Sequence, residues 1–297
     1  MIKQMLENVR NTTPLVHNIT NYVTVNDCAN ILLACGASPI MADDISEVEE
    51  IVSICNSLVI NLGTLNDRTI KAMLLAGKKA NLQKHPVVLD PVGIGASKLR
   101  TDTTKMLLRE VKFSVIRGNI SEIKLVNQAM LDIMMEDIDQ LRNISKDSNE
   151  EFDKESRGVD ASAADCVTEH NLEATVAYAK QLSKLTKAVI VITGAIDIIA
   201  DLEQAFIIRN GHPMMGRITG SGCMLTSILG AYCAANSGEM TSACVAAVCA
   251  MGLCGERAFE KVSSEEAGTG SFRTYLIDYM SRLDGEQLES GAKVQKA

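Results

Sequence analysis

Two apolar patterns alternate along most of this chain. Short runs rich in Val, Ile and Leu, at 57–62, 86–90, 113–117 and 188–194, are apolar at almost every position and predict strands buried on both faces. Between them, apolar residues recur at helical spacing over 26–35, 48–55, 67–81, 102–110 and 171–185. A short helix is expected over 1–10, an extended or turning segment over 14–23, and a brief strand over 37–41 whose Pro39 suits a sheet edge. The helix over 26–35 stops at Gly36. Ser46 and Glu49 have the spacing of a capping box, which accounts for the acids before the helix at 48–55. Strands separated by helices predict an α/β fold: a central, mostly parallel sheet with helices on both faces.

Further along, the pattern changes. A helix starts at Ser121 and runs to about Leu131, and from about 132 to 156 the chain turns to acids, Lys, Ser and Asn. That stretch reads as a polar surface insertion, partly helical, in a chain that otherwise forms a single domain over 1–297. Gly158-Val159-Asp160-Ala161 resumes the earlier composition. Residues 197–201 and 205–211 predict an antiparallel pair, and two apolar helices, 223–235 and 242–260, close the core.

Composition narrows the chemistry. With 46% apolar residues in 297, the chain can bury one large core. A net charge of −8 and no Lys/Arg cluster argue against a nucleic-acid surface. Aromatic residues at 3%, with no Trp, leave little for base stacking. The 9 cysteines are irregularly spaced within apolar runs and form no CxxC pair, so they read as reduced core thiols rather than a disulfide frame or a zinc site. A cytoplasmic location is expected. No membrane anchor is expected either, because the charged N-terminus is unlike a signal peptide and the most apolar stretch, 242–255, is too short to span a bilayer.

The candidate chemistry centres on Ile218-Thr219-Gly220-Ser221-Gly222-Cys223-Met224-Leu225, a small-residue loop feeding a helix. The first N–H groups of a helix lack intrahelical partners and the dipole there is positive, so such a loop can hold a phosphate without a basic side chain. Cys223 lies in the same field, which predicts a lowered thiol pKa and a thiolate able to accept a proton or attack an electrophile. A turn before a buried helix with a small apolar Cys fits the same residues. Asp90, Arg117 and Asn119 fall at the carboxyl ends of strands, where ligands of parallel sheets bind. His17 suits either a general base or a hydrogen-bonded structural residue. Other common machines are missing: there is no GxxxxGK(S/T), GxGxxG after a strand, HExxH or GxSxG, and Leu229 stands where a Cys-phosphatase signature from Cys223 needs Arg.

Together these pieces resemble the hydroxyethylthiazole kinase family of the ribokinase-like superfamily. The matching segments are Thr13-Pro14-Leu15-Val16-His17-Asn18-Ile19-Thr20-Asn21, Gly36-Ala37-Ser38-Pro39-Ile40-Met41, Leu89-Asp90-Pro91-Val92-Gly93, Arg117-Gly118-Asn119-Ile120-Ser121-Glu122, Gly158-Val159-Asp160, Ile192-Thr193-Gly194 and the glycine loop itself. They cover nearly the whole chain in the family's order; the polar stretch near 132–156 departs from it.

The resemblance implies a ribokinase-like three-layer sandwich. It implies transfer of a phosphoryl group from ATP to the primary hydroxyl of 4-methyl-5-(2-hydroxyethyl)thiazole, in thiamine salvage. Gly220, Ser221 and Gly222 would stabilise the phosphoryl group, and Cys223 would take the hydroxyl proton where the wider superfamily usually has Asp. Asp90 and Glu122 would organise Mg²⁺, supported by Asn119. Arg117 and Thr193 would hold ATP phosphates, with Asn21, Asp90 and Glu122 also at the ATP site. Met41, Gly220 and Asn21 would lie at the thiazole. A homotrimer with sites at subunit borders is implied as well. The alternatives within the superfamily are a pyridoxal or hydroxymethylpyrimidine kinase and an ATP-dependent NAD(P)H-hydrate dehydratase, which are expected to carry Asp at position 223.

Overall fold

The alternation of apolar runs and helical segments resolves, in the computed structural model, into one nine-stranded sheet covered on both faces. Residues 1–144 and 166–297 are described. Strands β1 (Leu15–Ile19), β2 (Ser38–Ile40), β3 (Ser57–Asn61), β4 (Val87–Asp90), β5 (Val115–Gly118), β6 (Val189–Ile192), β7 (Asp197–Ala200), β8 (Ala205–Ile208) and β9 (Val294–Lys296) stand in the order β2-β1-β3-β4-β5-β6-β7-β8-β9. Pairing is parallel from β2 to β6 and antiparallel from β6 to β9. Pro39 therefore sits on an edge strand, as its missing N–H requires.

The inner strands are largely apolar because both of their faces are covered, with Asn61, Asp90 and Arg117 standing at or near their carboxyl ends. One face packs on α1 (Ile2–Thr12), α2 (Val25–Cys35), α8 (Ser221–Ala235), α9 (Met240–Ser264), α10 (Thr269–Arg282) and α11 (Gly285–Gly291). The other packs on α3 (Val48–Ile54), α4 (Asp67–Leu82), α5 (Lys98–Glu110), α6 (Ile120–Ile144) and α7 (Leu172–Thr186). Successive strand residues serve the two cores in turn: Val88, Val115 and Val191 face the first, and Leu89, Ile116 and Ile190 the second. These are the three layers expected. Helix α9 is the one described helix long and apolar enough to cross a membrane, but 78% of its most apolar window is buried inside the protein.

Three expectations change. Helix α6 continues to Ile144, well past Leu131, so the first part of the polar stretch is helical and its acids face α5: Asp132 pairs with Lys105 at 2.5 Å and Glu136 with Arg109 at 2.6 Å. The rest of that stretch and the Gly158-Val159-Asp160 segment lie outside the described residues. The Ser46–Glu49 capping box does not form, because Ser46 donates its hydroxyl to Asp44 instead and α3 starts two residues later than Ser46 with no side-chain cap. Finally, beyond α9 the chain forms α10, α11 and β9, none of which the apolar pattern predicts.

Candidate active site

The glycine loop sits at the carboxyl ends of the parallel strands, where Gly220 is the N-cap of α8. Gly220 has φ +86°, a left-handed conformation, and a Cβ there would come within 2.7 Å of Thr24 Cγ2 on the α2 side. Gly222 is required for a different reason. A Cβ on it would lie 2.5 Å from Arg117 Nη1, so the guanidinium rests directly against the first turn of α8. The N–H groups of Ser221, Gly222 and Cys223 belong to that turn and have no carbonyl to reach within the helix. A basic fork and a helix N-terminus thus converge on one point, a combination suited to phosphate.

Arg117 comes from β5 and reaches both neighbours. Its Nη2 donates to Thr193 Oγ1 at 2.6 Å, at the end of β6, and its Nη1 lies 3.5 Å from Asp90 Oδ2, at the end of β4. Asp90 is fully buried; its Oδ2 accepts from Asn61 Nδ2 at 2.9 Å and Thr226 Oγ1 at 2.7 Å. Its Oδ1 has no partner among the described residues. Burial pushes the Asp90 carboxyl above its ordinary range; Arg117 opposes this and nearby Glu122 adds to it.

Glu122 is held by backbone. Its Oε1 accepts from Gly93 N–H at 3.0 Å and its Oε2 from Asn119 N–H at 2.9 Å, while Asn119 Oδ1 accepts from Glu122 N–H at 2.8 Å. This reciprocal cap starts α6 and fixes the carboxylate beside the loop after β4.

On the other side of Asp90, Asn61 donates to Cys223 Sγ at 3.3 Å, and Asn21 Nδ2 donates both to Asn61 Oδ1 at 3.0 Å and to Cys223 Sγ at 3.3 Å. The sulfur therefore receives two N–H donors. Even so, burial and then the Asp90 charge push the Cys223 thiol up, with Thr24, Asn21 and Asn61 pulling the other way. This reverses the lowered pKa expected from the helix end: Cys223 is mostly enclosed by protein, and desolvation of the thiolate outweighs the partial charge of one helix terminus.

A cavity of about 490 Å³ opens beside this cluster. Arg117, Asn119, Thr193, Ser221 and Gly222 form its polar end, and Leu225, Val248, Met251 and Met215 its apolar wall. Asp197 also lines it; its Oδ1 accepts from Gly194 N–H at 2.8 Å and burial pushes its carboxyl up to about 7. His212, on the same wall, stacks on Phe259 with ring centroids 3.5 Å apart.

Of the residues assigned to ATP, Arg117 and Thr193 line this cavity, whereas Asn21, Asp90 and Glu122 do not. Asn21 belongs to the Cys223 cluster, together with Gly220 through Thr24, which donates to Asn21 Oδ1 at 3.0 Å. Met41 follows β2, half-buried, and does not line the cavity either. His17 turns to the opposite face of β1 from Asn18, whose Oδ1 accepts from Ser227; its Nε2 donates to Ala42 O at 2.7 Å. It is fully buried there with backbone as its partner, and burial lowers its pKa.

Sequence reasoning missed Asn61, Thr226 and Asp197. Asn61 carried the same signal as Asp90, a polar residue ending a buried strand in register with it. Thr226 lies one helical turn after Gly222, and Asp197 three residues after Gly194, but neither spacing stands out without the fold.

A mostly parallel sheet with this cluster at its carboxyl ends defines an α/β protein of ribokinase-like fold with a site suited to an anion. A ribokinase-like superfamily protein from Enterococcus faecalis shares the fold, at TM-score 0.57 and 12% identity with 95% of each chain covered. The chain belongs to the hydroxyethylthiazole kinase family, whose pattern matches residues 6–286. It is 55% identical over 295 residues to the hydroxyethylthiazole kinase of Clostridium acetobutylicum, covering 99% of both chains. The structure of hydroxyethylthiazole kinase from Pyrococcus horikoshii superposes at TM-score 0.82 with 31% identity, covering 100% of this chain and 98% of that one.

Proposed function

We propose that this kinase transfers the γ-phosphoryl group of ATP to the primary hydroxyl of 4-methyl-5-(2-hydroxyethyl)thiazole, supplying thiazole phosphate to thiamine salvage. The observation that carries this reading is the juxtaposition at one point of Arg117, the α8 N-terminus and Cys223. The cavity lined by Arg117 and Thr193 takes the nucleotide, with its phosphates toward Ser221 and Gly222. The thiazole alcohol approaches from the Asn21–Cys223 side, with Gly220 beneath it and Met41 at its edge.

Phosphoryl transfer needs positioning and charge stabilisation more than covalent help. The first-turn N–H groups of α8 and the Arg117 fork provide both, and their close packing keeps water from the transferring group. Cys223 takes the hydroxyl proton. Its raised pKa leaves little thiolate at neutral pH, which suits a loose transition state in which the proton leaves late.

Mg²⁺ fits the residues at hand. Asp90 has an unpartnered carboxylate oxygen, Glu122 is fixed nearby by two backbone N–H groups, and among the described residues no three His, Cys, Asp or Glu side chains form a closed metal cage. Two carboxylates and an open remainder match a cation that keeps waters and shares phosphate oxygens. Asp90 and Glu122 would hold Mg²⁺, which would supply neutralisation of phosphate charge, and Asn119 holds Glu122 in place.

The reading extends to the assembly. Tyr22 is 78% exposed and Val23 57%, directly after Asn21 in the chain, and β2 is an edge strand of the sheet. An apolar rim beside the acceptor site suits a homotrimer whose sites lie at subunit borders. One kinase domain over 1–297, in a reducing cytoplasmic setting, agrees with nine free thiols.

The test is ADP release with Mg-ATP and hydroxyethylthiazole, with pyridoxal and hydroxymethylpyrimidine as control acceptors. Thiazole-dependent ADP supports the assignment. Turnover with only a control acceptor moves it to a sister kinase.

A further inference from the structure

Arg100 stands in the first turn of α5, outside every role assigned above. A cation there opposes the helix dipole, and that turn contains no acid to offset it. Among the described residues Arg100 pairs with no carboxylate. Its guanidinium is instead directed at three backbone carbonyls: Nη1 donates to Leu62 O and, at 2.6 Å, to Val92 O, and Nη2 donates to Gly63 O at 2.6 Å.

These carbonyls belong to two different loops, one leaving β3 and one leaving β4. Each loop supports a different half of the site. Gly63 N–H donates to Asn61 Oδ1 at 2.9 Å, and a Cβ on Gly63 would lie 2.7 Å from Asn21 Cβ, so this loop backs the two amides that contact Cys223. In the second loop, Gly93 N–H donates to Glu122 Oε1 at 3.0 Å, so this loop backs the carboxylate assigned to the metal.

We infer that Arg100 is a positioning residue for the kinase reaction: its fork sets the distance between the loop that supports the acceptor side and the loop that supports the metal side. This rests on the site assignment proposed above. A planar fork with donors on two nitrogens can bridge three carbonyls at once, which the single ammonium of Lys cannot reproduce in the same geometry. Phosphoryl transfer depends on the separation of metal, phosphate and hydroxyl, and small misplacements cost rate more than binding.

The experiment compares wild type with Arg100→Ala, Arg100→Gln and Arg100→Lys in two measurements. Hydrogen–deuterium exchange of the nucleotide-free protein follows the amides of 61–64 and 92–95, with the core of α9 as internal reference. Steady-state kinetics with Mg-ATP and hydroxyethylthiazole, with and without millimolar guanidinium chloride, follows kcat and both KM values.

The inference expects faster exchange in both loops with α9 unchanged in the Ala and Gln variants. It expects kcat to fall about tenfold to a hundredfold with smaller changes in KM. The Lys variant falls between these and wild type, and added guanidinium restores part of kcat to Arg100→Ala alone. Unchanged exchange in the loops overturns the inference, and so does faster exchange with wild-type kcat. Wild type unable to phosphorylate the thiazole contradicts the proposed function instead; an active wild type matched by Arg100→Ala contradicts only the role of Arg100.

Discussion

Cys223 is the third residue of α8 and receives N–H donors from Asn21 and Asn61, yet its thiol titrates above the ordinary value because burial and Asp90 disfavour the thiolate. A base with a raised pKa is deprotonated only as pH climbs, so wild-type kcat should rise through the alkaline range. Cys223→Asp places a carboxylate at that point; it should keep or raise kcat at neutral pH and flatten the alkaline rise. Cys223→Ala should lose the rise and lower kcat by about a hundredfold. One pH profile shared by all three would remove the base assignment. Gly222→Ala tests the neighbouring contact. Its Cβ would displace Arg117, and losing one charge-assisted contact of about 1.5 kcal/mol should raise KM for ATP about tenfold, measured by initial rates.

Elements were legible where burial wrote a pattern into the chain. The inner strands are apolar at most positions because helices cover both faces, and the Gly36 stop is seen directly as a left-handed C-cap, φ +97°. Caps were less legible, since spacing alone does not say where a side chain points. Ser46 turned to Asp44, whereas the true reciprocal cap at α6 uses Asn119 and Glu122. Asn119→Ala should therefore cost about 1 kcal/mol of unfolding free energy, read from urea denaturation, and should loosen Glu122. An unchanged midpoint would show that the cap contributes nothing. Strand β9 could not be read at all: only three residues long and largely exposed, it exists through its pairing with β8.

At the scale of the whole molecule, the fold explains why residues so far apart in sequence form one cluster. Parallel strands end on the same edge of the sheet, so Asn61, Asp90, Arg117 and Thr193 gather there regardless of what separates them, and α8 brings Cys223 across the top. Asp90 and the glycine loop were legible because strand ends and helix starts announce themselves. Asn61, Thr226 and Asp197 were not, since their roles arise from contacts between distant segments. The exposed Tyr22 and Val23 carry a further expectation. Sedimentation equilibrium should show a trimer, and Tyr22→Asp should weaken it while lowering activity in parallel. A fully active monomer would contradict the border-site arrangement.

The central claim is that this cluster moves the γ-phosphoryl group onto a thiazole alcohol. Phosphorus NMR of wild type and Asp90→Asn, each with Mg-ATP and hydroxyethylthiazole, tests it most directly. The account predicts one thiazole phosphate monoester per ADP from wild type and at least about a hundredfold less from Asp90→Asn, which keeps the side chain's shape but loses the charge proposed to orient the metal. Release of inorganic phosphate without ester, or equal ester from both proteins, would contradict it.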